Sequence, residues 1–172
     1  MQRIRWGDQD ALESIFRLYY DGLCRFMLRL TNSQDDVEDM VQEIFVRIWI
    51  NKENWYPKGT LKSYLFKAAR NQAINFSKRE ARDTVKAEDD NLFAADSSTD
   101  PVERMIDSDI VRTVDEAIER LPRRCRLIFT LNRQEGLSYS EIAEVLGISA
   151  KTVENQIAHA LKVLRKELKS LK

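Results

Sequence analysis

The stretch from Leu137 to Leu168, LSYSEIAEVLGISAKTVENQIAHALKVLRKEL, predicts a helix-turn-helix whose second helix is long. Ser138 is a common helix-capping residue, and Glu141 three positions later completes the pattern of a capping box. Gly147 stands where the chain must turn with positive φ, and Ser149 is placed to cap the second helix. Because these signals fall in register, we favour a helix-turn-helix over an ordinary surface hairpin of helices.

The second predicted helix has one apolar and one polar side. Its apolar residues, at helical spacing, are Val153, Ile157, Ala160, Leu161 and Leu164. Its polar side carries groups able to reach base edges in the major groove, namely Lys151, Thr152, Glu154, Asn155, Gln156 and His159. Duplex DNA is therefore the first candidate partner.

Charge is unevenly distributed along the 172 residues, although 28 basic and 28 acidic residues cancel. The net charge is +2 up to residue 80, −6 from residue 81 to 109, and +4 from residue 110 onward. Since affinity for duplex DNA rises with each phosphate neutralised, a neutral chain with an acidic middle should bind free DNA weakly. The pattern indicates a partner that assists DNA binding.

Composition disfavours several other classes of protein. No apolar run approaches the ~20 residues of a membrane span, and the first residues lack a signal-peptide pattern, so we expect a cytoplasmic chain without membrane insertion. Cys24 and Cys125 lie far apart inside helical patterns and are interpreted as small buried residues, not as a disulfide or a metal site. With one histidine and no nucleophile–base or carboxylate pair, we expect no metal, no cofactor and no enzymatic activity.

Three amphipathic helices are predicted in the first 80 residues, opened by the capping residues Asp8, Ser33 and Thr60. Their predicted inward residues are Leu12, Ile15, Phe16, Tyr19, Leu23, Phe26, Met27 and Leu30 in the first, Val37, Met40, Val41, Ile44, Phe45 and Ile48 in the second, and Leu61, Tyr64, Leu65, Ala68 and Phe76 in the third. Pro57 and Gly59 mark a loop before the third helix. No alternating strand pattern is present, so the predicted fold class is all-α.

The predicted organisation is two small helical domains, residues 1–80 and 102–172, joined by a flexible acidic linker at residues 81–101. The linker is polar and too poor in apolar residues to offset the entropy of ordering it. Helices are expected from Val102 to Leu121, followed by a helix that has Pro122 at its first position and stops at Gly136. The helix-turn-helix ends the second domain.

Two charged surfaces accompany the first domain. The second helix is acidic beside Ile44, Phe45 and Trp49, which suits either a solvated helix face or a docking face for a basic partner. The loop and third helix combine lysines and arginines with aromatic residues, the ingredients of single-strand binding, although a basic solvent face over a core of rings is the simpler alternative. Among the rings, Trp55 is the stacking candidate because it lies in the loop, whereas Tyr64 and Phe76 are expected in the core.

Three blocks of this sequence together resemble, in order and spacing, the bacterial sigma factors of the extracytoplasmic-function (ECF) group. The blocks are DDVEDMVQEIFVRIW, TLKSYLFKAARNQAINFSKR and LPRRCRLIFTLNRQEGLSYSEIAEVLGISAKTVENQIAHALKVLRK. The resemblance implies a subunit that binds core RNA polymerase, through the clamp helices of its largest subunit and its flap, and directs it to the −35 and −10 elements of promoter DNA. It also implies an anti-sigma factor as partner, often membrane-linked in this family.

The resemblance implies a role for each surface. The contacts with core polymerase, taken as exposed, would be Asp36, Asp39, Gln42, Glu43 and Phe45. The contacts with the −10 single strand would be Trp55, Thr60, Lys62, Lys67, Arg70, Asn71, Asn75 and Lys78, with Asn71 as the base-reading residue. The contacts with the −35 duplex would be Ser149, Lys151, Thr152, Glu154, Asn155, Gln156, His159 and Lys162. The acidic linker would follow the polymerase's active-site and RNA-exit channel.

The sequence departs from the family pattern in places, and two other functions stay open. Tyr64 and Asn75 stand where tryptophan and aspartate are usual, and Glu154 and Gln156 stand where many relatives are basic, so the preferred −35 sequence cannot be transferred. The first alternative is a polymerase-independent regulator, because KTVENQIAHAL also resembles the recognition helix of response-regulator effector domains. The second is a helical adaptor that binds only protein.

Overall fold

The computed structural model describes residues 1–31, 33–83 and 109–169, which form helices and the turns between them and contain no strand. The helices are α1 (Gln2–Arg5), α2 (Gln9–Leu28), α3 (Gln34–Ile50), α4 (Leu61–Asp83), α5 (Asp109–Glu119), α6 (Arg123–Arg133), α7 (Tyr139–Leu146) and α8 (Ala150–Lys169), with a 3₁₀ turn at Lys52–Asn54. The chain divides into two compact units, one holding α1–α4 and the other α5–α8. The predicted all-α class is confirmed.

The predicted linker overlaps the end of α4, because that helix continues through Asp83 and is therefore three residues longer than the first predicted domain. Residues 84–101 of the linker, and the predicted helix start near Val102, lie outside the described residues.

The three predicted helix starts of the first unit are confirmed, and two of them are capped as expected. Asp8 Oδ1 accepts a hydrogen bond from the Ala11 amide at 3.0 Å. Thr60 Oγ1 accepts one from the Ser63 amide at 3.1 Å. Ser33 precedes α3, but its hydroxyl donates to the Asp36 carboxylate and caps no backbone group.

The core of the first unit is formed where α2, α3 and α4 pack against one another. All six predicted inward residues of α3 are buried, whereas the first four of α2 are only half-buried. In α4 the predicted inward side is wrong, because it is rotated around the helix axis from the side that is buried. Of the predicted residues only Leu65 is fully buried. The other fully buried residues, which were not predicted, are Ser63, Phe66, Ala69 and Ala73. The reason is that α4 contacts both α2 and α3, and small Ala69 and Ala73 let it approach them closely.

Helix α1 was not predicted, because four residues are too short to show a helical period. Ile4 is its anchor and is completely buried. Gly7, with φ of 84°, then turns the chain into α2, a conformation in which glycine has no steric penalty.

In the second unit, α5, α6 and α7 each pack against α8. The predicted core residues Leu127, Ile128 and Leu131 of α6 are buried. Pro122 immediately precedes this helix instead of forming its first residue. The helix ends at Arg133, three residues before the predicted stop at Gly136.

Candidate nucleic-acid and polymerase interfaces

The helix-turn-helix of α7 and α8 is built as its sequence predicts. The Glu141 amide donates to Ser138 Oγ at 3.3 Å, and the Ser138 amide donates to Glu141 Oε2 at 2.8 Å, which completes the capping box. Gly147 ends α7 in the left-handed conformation, with φ of 65° and ψ of 39°. The Thr152 amide donates to Ser149 Oγ at 3.0 Å and so caps α8.

The angle between α7 and α8 is fixed by apolar contacts and by bonds from α6. The buried residues of these two helices are Ile142, Val145, Leu146, Val153, Ile157, Ala160 and Leu164. Leu161, predicted in the same stripe, is half-buried. Asn132 Nδ2 donates to the Leu137 carbonyl at 2.9 Å, and the Cys125 thiol donates to the Gln156 carbonyl at 3.3 Å. The sequence reading missed these two bonds, because nothing in the pattern distinguishes Asn132 or Cys125 from their neighbours.

The outer face of α8 carries most of the predicted −35 contacts. Exposed are Ser149, Lys151, Glu154, Asn155, His159 and Lys162, while Thr152 and Gln156 are half-buried. Lys151 and Glu154 form an ion pair at 2.8 Å. Both side chains remain more than half exposed, so this pair contributes little stability and is readily exchanged for other partners. The face thus offers a cation, an amide and a carboxylate to a groove.

A second polar face runs along α4. Its exposed members Lys67, Asn71, Asn75 and Lys78 follow one another at spacings of four, four and three residues, which places them on one side of the helix. Lys62 and Arg70 are half-buried, and exposed Thr60 is engaged as the cap of the helix. The structure therefore brings together four of the predicted single-strand contacts as one stripe of cations and amides.

Trp55 contradicts its predicted role as an exposed stacking ring. Only 6% of the residue is exposed, and its ring meets that of Tyr64 edge-on with 5.7 Å between centroids. The loop turns this side chain inward, and its neighbour Tyr56 is turned outward, where Arg5 Nη2 donates a hydrogen bond to its hydroxyl. Tyr56, one of the aromatic residues that the sequence interleaves with cations in this loop, is 64% exposed.

Helix α3 presents an acidic face that includes most of the predicted polymerase contacts. Asp39, Gln42 and Glu43 are exposed, and Asp36 is half-buried. Glu43 is bonded on two sides: Arg47 Nη2 lies 2.5 Å from one carboxylate oxygen, and Gln72 Nε2 of α4 donates to the other.

Phe45 is the exception, because the resemblance placed it among the exposed contacts and it is 4% exposed. Its ring packs edge-on against that of Phe16, with 5.0 Å between centroids. Ile44, also expected to be available for docking, is buried as well. Phe45 therefore faces α2, and both residues are buried, as their helical period predicted.

A groove of about 210 Å³ lies between α3 and α4. Its walls combine carboxylates, guanidiniums and amides with two apolar side chains, namely Asp36, Asp39, Met40, Glu43, Arg47, Gln72, Asn75, Phe76 and Arg79. The groove is thus lined by acidic residues of α3 and by one member of the polar stripe of α4, Asn75.

Three further titratable groups among the described residues have shifted pKa values. Burial raises the pKa of both free thiols, Cys125 fully buried and Cys24 only half-buried, so neither favours the thiolate. Burial, reinforced by Cys24 and Glu38, raises the pKa of Tyr20 to about 12. Among the described residues no cluster of histidine, cysteine and acidic side chains could hold a metal ion. No helix within the same ranges has the length and apolarity to cross a membrane.

Comparison with known proteins identifies both units. The profile described as Sigma-70 region 2 matches residues 15–83, and that described as Sigma-70, region 4 matches residues 112–164. The ECF RNA polymerase sigma-E factor of Haemophilus influenzae is 27% identical over 179 residues, which cover 99% of this chain and 94% of that protein. The ECF RNA polymerase sigma factor SigE of Mycolicibacterium smegmatis is 32% identical over 165 residues, covering 92% of this chain and 63% of that protein.

A solved structure shares the fold. The co-crystal structure of the sigma factor RpoE in complex with the anti-sigma factor NepR from Bartonella quintana matches with a TM-score of 0.65 and 22% identity, covering 91% of this chain and 96% of that one. Regions 2 and 4 follow one another on a single chain, and the similarity to ECF factors runs along nearly all of it. The chain belongs to the sigma-70 family and is a sigma factor of the ECF group.

Proposed function

We propose that this sigma factor binds core RNA polymerase in the cytoplasm, directs it to promoters through −35 and −10 elements, and helps to separate the strands. It catalyses no reaction itself. The observation that supports this most directly is the presence of both sigma-70 regions on one chain, one carrying a capped helix-turn-helix and the other an acidic and a basic face. We assign the polymerase and −10 contacts to residues 1–80, the −35 contacts to residues 102–172, and the connection to residues 81–101.

The outer face of α8 is proposed to enter the major groove at the −35 element. Asn155 and His159 are exposed there and can bond base edges, while Lys151 and Lys162 suit phosphates. Glu154 is the unusual member, because a carboxylate accepts from cytosine N4 but repels the backbone. Its pairing with Lys151 reduces that repulsion and favours a −35 sequence with a cytosine in reach.

The stripe on α4 is proposed to hold the −10 non-template strand after it unpairs. Lys67 and Lys78 would track phosphates, and the amides of Asn71 and Asn75 would bond the edges of unstacked bases. Thr60, Lys62 and Arg70 complete the proposed set beside the stripe. The buried Trp55 is withdrawn from it as a stacking ring and acts only as support for the loop.

Strand separation then follows from differential binding. Extruding a base costs a few kcal/mol of lost stacking and pairing, and contacts made only to the extruded base offset that cost. A protein that binds paired and unpaired DNA equally would open nothing. The proposed amides of α4 bond edges that become free only after melting.

The acidic face of α3 is proposed to dock on core polymerase. Asp39, Gln42 and Glu43 are exposed, Asp36 partly so, and the resulting negative surface suits a basic helical partner. An anti-sigma factor is proposed as a second partner that occupies the same surfaces. The related RpoE was solved in complex with such a factor, which supports this proposal.

The test is transcription with purified core enzyme on fragments of the organism's own upstream regions. We expect promoter-specific products only when both chain and core are present. Asn71→Ala and Lys67→Ala should reduce strand opening, whereas Arg17→Ala should not, although it removes one exposed cation from α2 as Lys67→Ala does from α4. Specific duplex binding by the chain alone would favour the polymerase-independent regulator, and core binding without any DNA dependence would favour the protein-only adaptor.

A further inference from the structure

Glu154 is an acidic residue on the face of α8 that we propose to enter the major groove. It lies in the second turn of the helix, beside exposed Asn155, and its side chain is 55% exposed. Residues near the start of a recognition helix are the ones that reach base edges. Lys151 and Lys162 on the same face are basic, so Glu154 opposes the attraction to DNA that they supply.

In the free chain this carboxylate is held by one cation. Lys151 Nζ lies 2.8 Å from Glu154 Oε2, and no other hydrogen bond or ion pair joins the Glu154 carboxylate to a residue that the structure describes. Both side chains are more than half exposed, so the pair is weak and Lys151 readily exchanges it for a DNA phosphate. Binding of DNA through Lys151 therefore takes this partner away from the carboxylate.

The base beside Glu154 then decides whether the carboxylate finds a new partner. In the major groove, cytosine presents its N4 amino group, which a carboxylate accepts. Guanine presents the acceptors N7 and O6, and thymine presents the acceptor O4 and a methyl group, so neither offers a donor. Adenine is intermediate, because its N6 amino group stands beside the acceptor N7. An unpaired charge in the complex with the wrong partner is a general source of specificity.

Affinity and selectivity therefore have opposite signs at this position. Removing the carboxylate takes one negative charge away from the phosphates, so binding to most sequences should become tighter. The sequence that places cytosine beside Glu154 is the exception, because it loses a hydrogen bond. Truncation of an ordinary base contact does the reverse, since it weakens the preferred sequence and gives the others no gain.

We propose that Glu154 selects promoters by exclusion: it weakens binding to every −35 element that has no cytosine amino group within its reach, and Lys151 is its counter-ion in the free chain. This rests on the proposed function of the chain and deepens it. A cytosine contact alone explains a gain on one sequence, whereas exclusion also predicts a loss on all the others.

The experiment measures the affinity of wild-type and variant holoenzymes for duplex −35 DNA. The starting fragment comes from a promoter that the wild-type holoenzyme transcribes, and each −35 base pair is replaced in turn by the other three. In the wild type, one position should require cytosine. Its replacement by guanine or thymine should weaken binding about 5- to 150-fold, since a good base contact discriminates by about 1–3 kcal/mol.

Glu154→Gln is the decisive variant, because it removes the charge and keeps an amide oxygen that can accept from cytosine N4. Affinity for the fragments without cytosine should rise several-fold, so that discrimination at this one position narrows while the other −35 positions keep theirs. Adenine should gain most, because glutamine bonds both its N6 and its N7. Glu154→Ala removes the charge and the acceptor together, so the affinities for all four bases at this position should converge.

Glu167→Gln is the matched control. It removes the same charge from the same helix, about 20 Å further along at 1.5 Å per residue. That distance exceeds the roughly 8–10 Å over which exposed charges act at physiological salt. The variant breaks only an exposed pair with Arg120 at 3.3 Å, and it should leave the whole −35 series unchanged.

The proposal is overturned if Glu154→Gln lowers the affinity for all fragments or leaves the discrimination at every position as in the wild type. It is also overturned if Glu167→Gln raises affinity to the same extent, because net charge and not position would then be responsible. A folding defect only lowers affinity, so the expected gain cannot arise from one. A wild-type holoenzyme that transcribes no promoter refutes the proposed function itself, which differs from a holoenzyme that initiates normally and does not respond to Glu154→Gln.

Discussion

Substitution of Phe45 distinguishes a core residue from a polymerase contact. The residue is 4% exposed and packs edge-on against Phe16 at 5.0 Å. Truncating a buried phenylalanine to alanine typically costs about 3–5 kcal/mol, and an aromatic pair adds about 0.5–1.5 kcal/mol beyond the buried area. We therefore expect Phe45→Ala to lower the free energy of unfolding of the first unit by about 4–5 kcal/mol. Val46→Ala, at the 54% exposed next residue, should cost less than about 1 kcal/mol.

The assay is urea unfolding followed by tryptophan fluorescence. All three tryptophans, Trp6, Trp49 and Trp55, lie in the unit of α1–α4, so the signal reports that unit alone even in the full chain. With a urea m-value of about 1–2 kcal/mol/M, a loss of about 4 kcal/mol lowers the midpoint by about 2–4 M. That is a large part of the stability of an ordinary domain.

Phe45→Leu is the variant on which polymerase binding is measured. It keeps most of the apolar volume, costs about 1.5 kcal/mol or less, and should leave the unit folded. We expect its affinity for core polymerase to stay within about twofold of the wild type, since such a loss leaves nearly all molecules native. The reasoning is refuted if Phe45→Ala keeps the wild-type urea midpoint while polymerase binding is lost, because that result would make Phe45 an exposed contact.

Three further outcomes are expected. Ser138→Ala removes the capping box of α7 and should destabilise the second unit by about 1 kcal/mol in thermal unfolding monitored by circular dichroism. Ser140→Ala keeps the cap and should cost much less, and equal losses in the two variants would contradict the capping argument. In the holoenzyme, Lys151→Ala should weaken binding to all −35 sequences alike and reduce the slope of log affinity against log salt concentration by about one. Asn155→Ala should instead cost about 1–3 kcal/mol at one base pair and relax the preference there. Binding measured over a series of −35 sequences and salt concentrations would contradict these roles if Lys151→Ala were specific to one base pair and Asn155→Ala were not. The pKa of the Asp8 carboxyl is held below 3.8 by the Ala11 amide and then by Arg3, so the stabilising effect of the carboxylate is present above about pH 4 and is lost as pH falls through the lowered pKa. Urea midpoints of wild type and Asp8→Asn should therefore differ at neutral pH and converge in acid. A difference that stays constant with pH would contradict a stabilising role of the ionised carboxylate.

The local signals of the sequence predicted structure best where neighbours along the chain decide it. The capping box, the left-handed glycine and the second cap of the helix-turn-helix each depend on residues within four positions, so tertiary packing had little room to change them. The starts of α2 and α4 were predictable for the same reason, whereas Ser33 stands at the start of α3 without capping it.

Faces that depend on packing were harder to predict. Helix α4 packs against two helices, so its buried surface is broader than one apolar stripe and includes Ala69 and Ala73, residues whose small size gives no hydrophobic signal. Phe45 shows a different lesson, because its helical period placed it inward correctly and the family resemblance placed it outward wrongly. The helical spacing of apolar residues predicts which side chains are buried in this fold, whereas family resemblance predicts which residues contact a partner.

The sequence alone could not show which of the two adjacent aromatic residues of the loop is buried. Trp55 and Tyr56 are adjacent, and in a loop without a period either ring could have turned inward. The contact that settles the choice comes from Arg5, 51 positions away, on a helix too short to be recognised.

Glu43 already accepts two hydrogen bonds in the free chain, from Arg47 on one carboxylate oxygen and from Gln72 of the neighbouring helix on the other. An incoming lysine or arginine of another subunit must compete with these internal bonds, so its net gain is smaller than exposure alone suggests. Wherever it displaces Gln72, it frees an amide one residue away from Asn71. If α3 and α4 act as proposed, a substitution at Glu43 would therefore also change the polar surface beside Asn71.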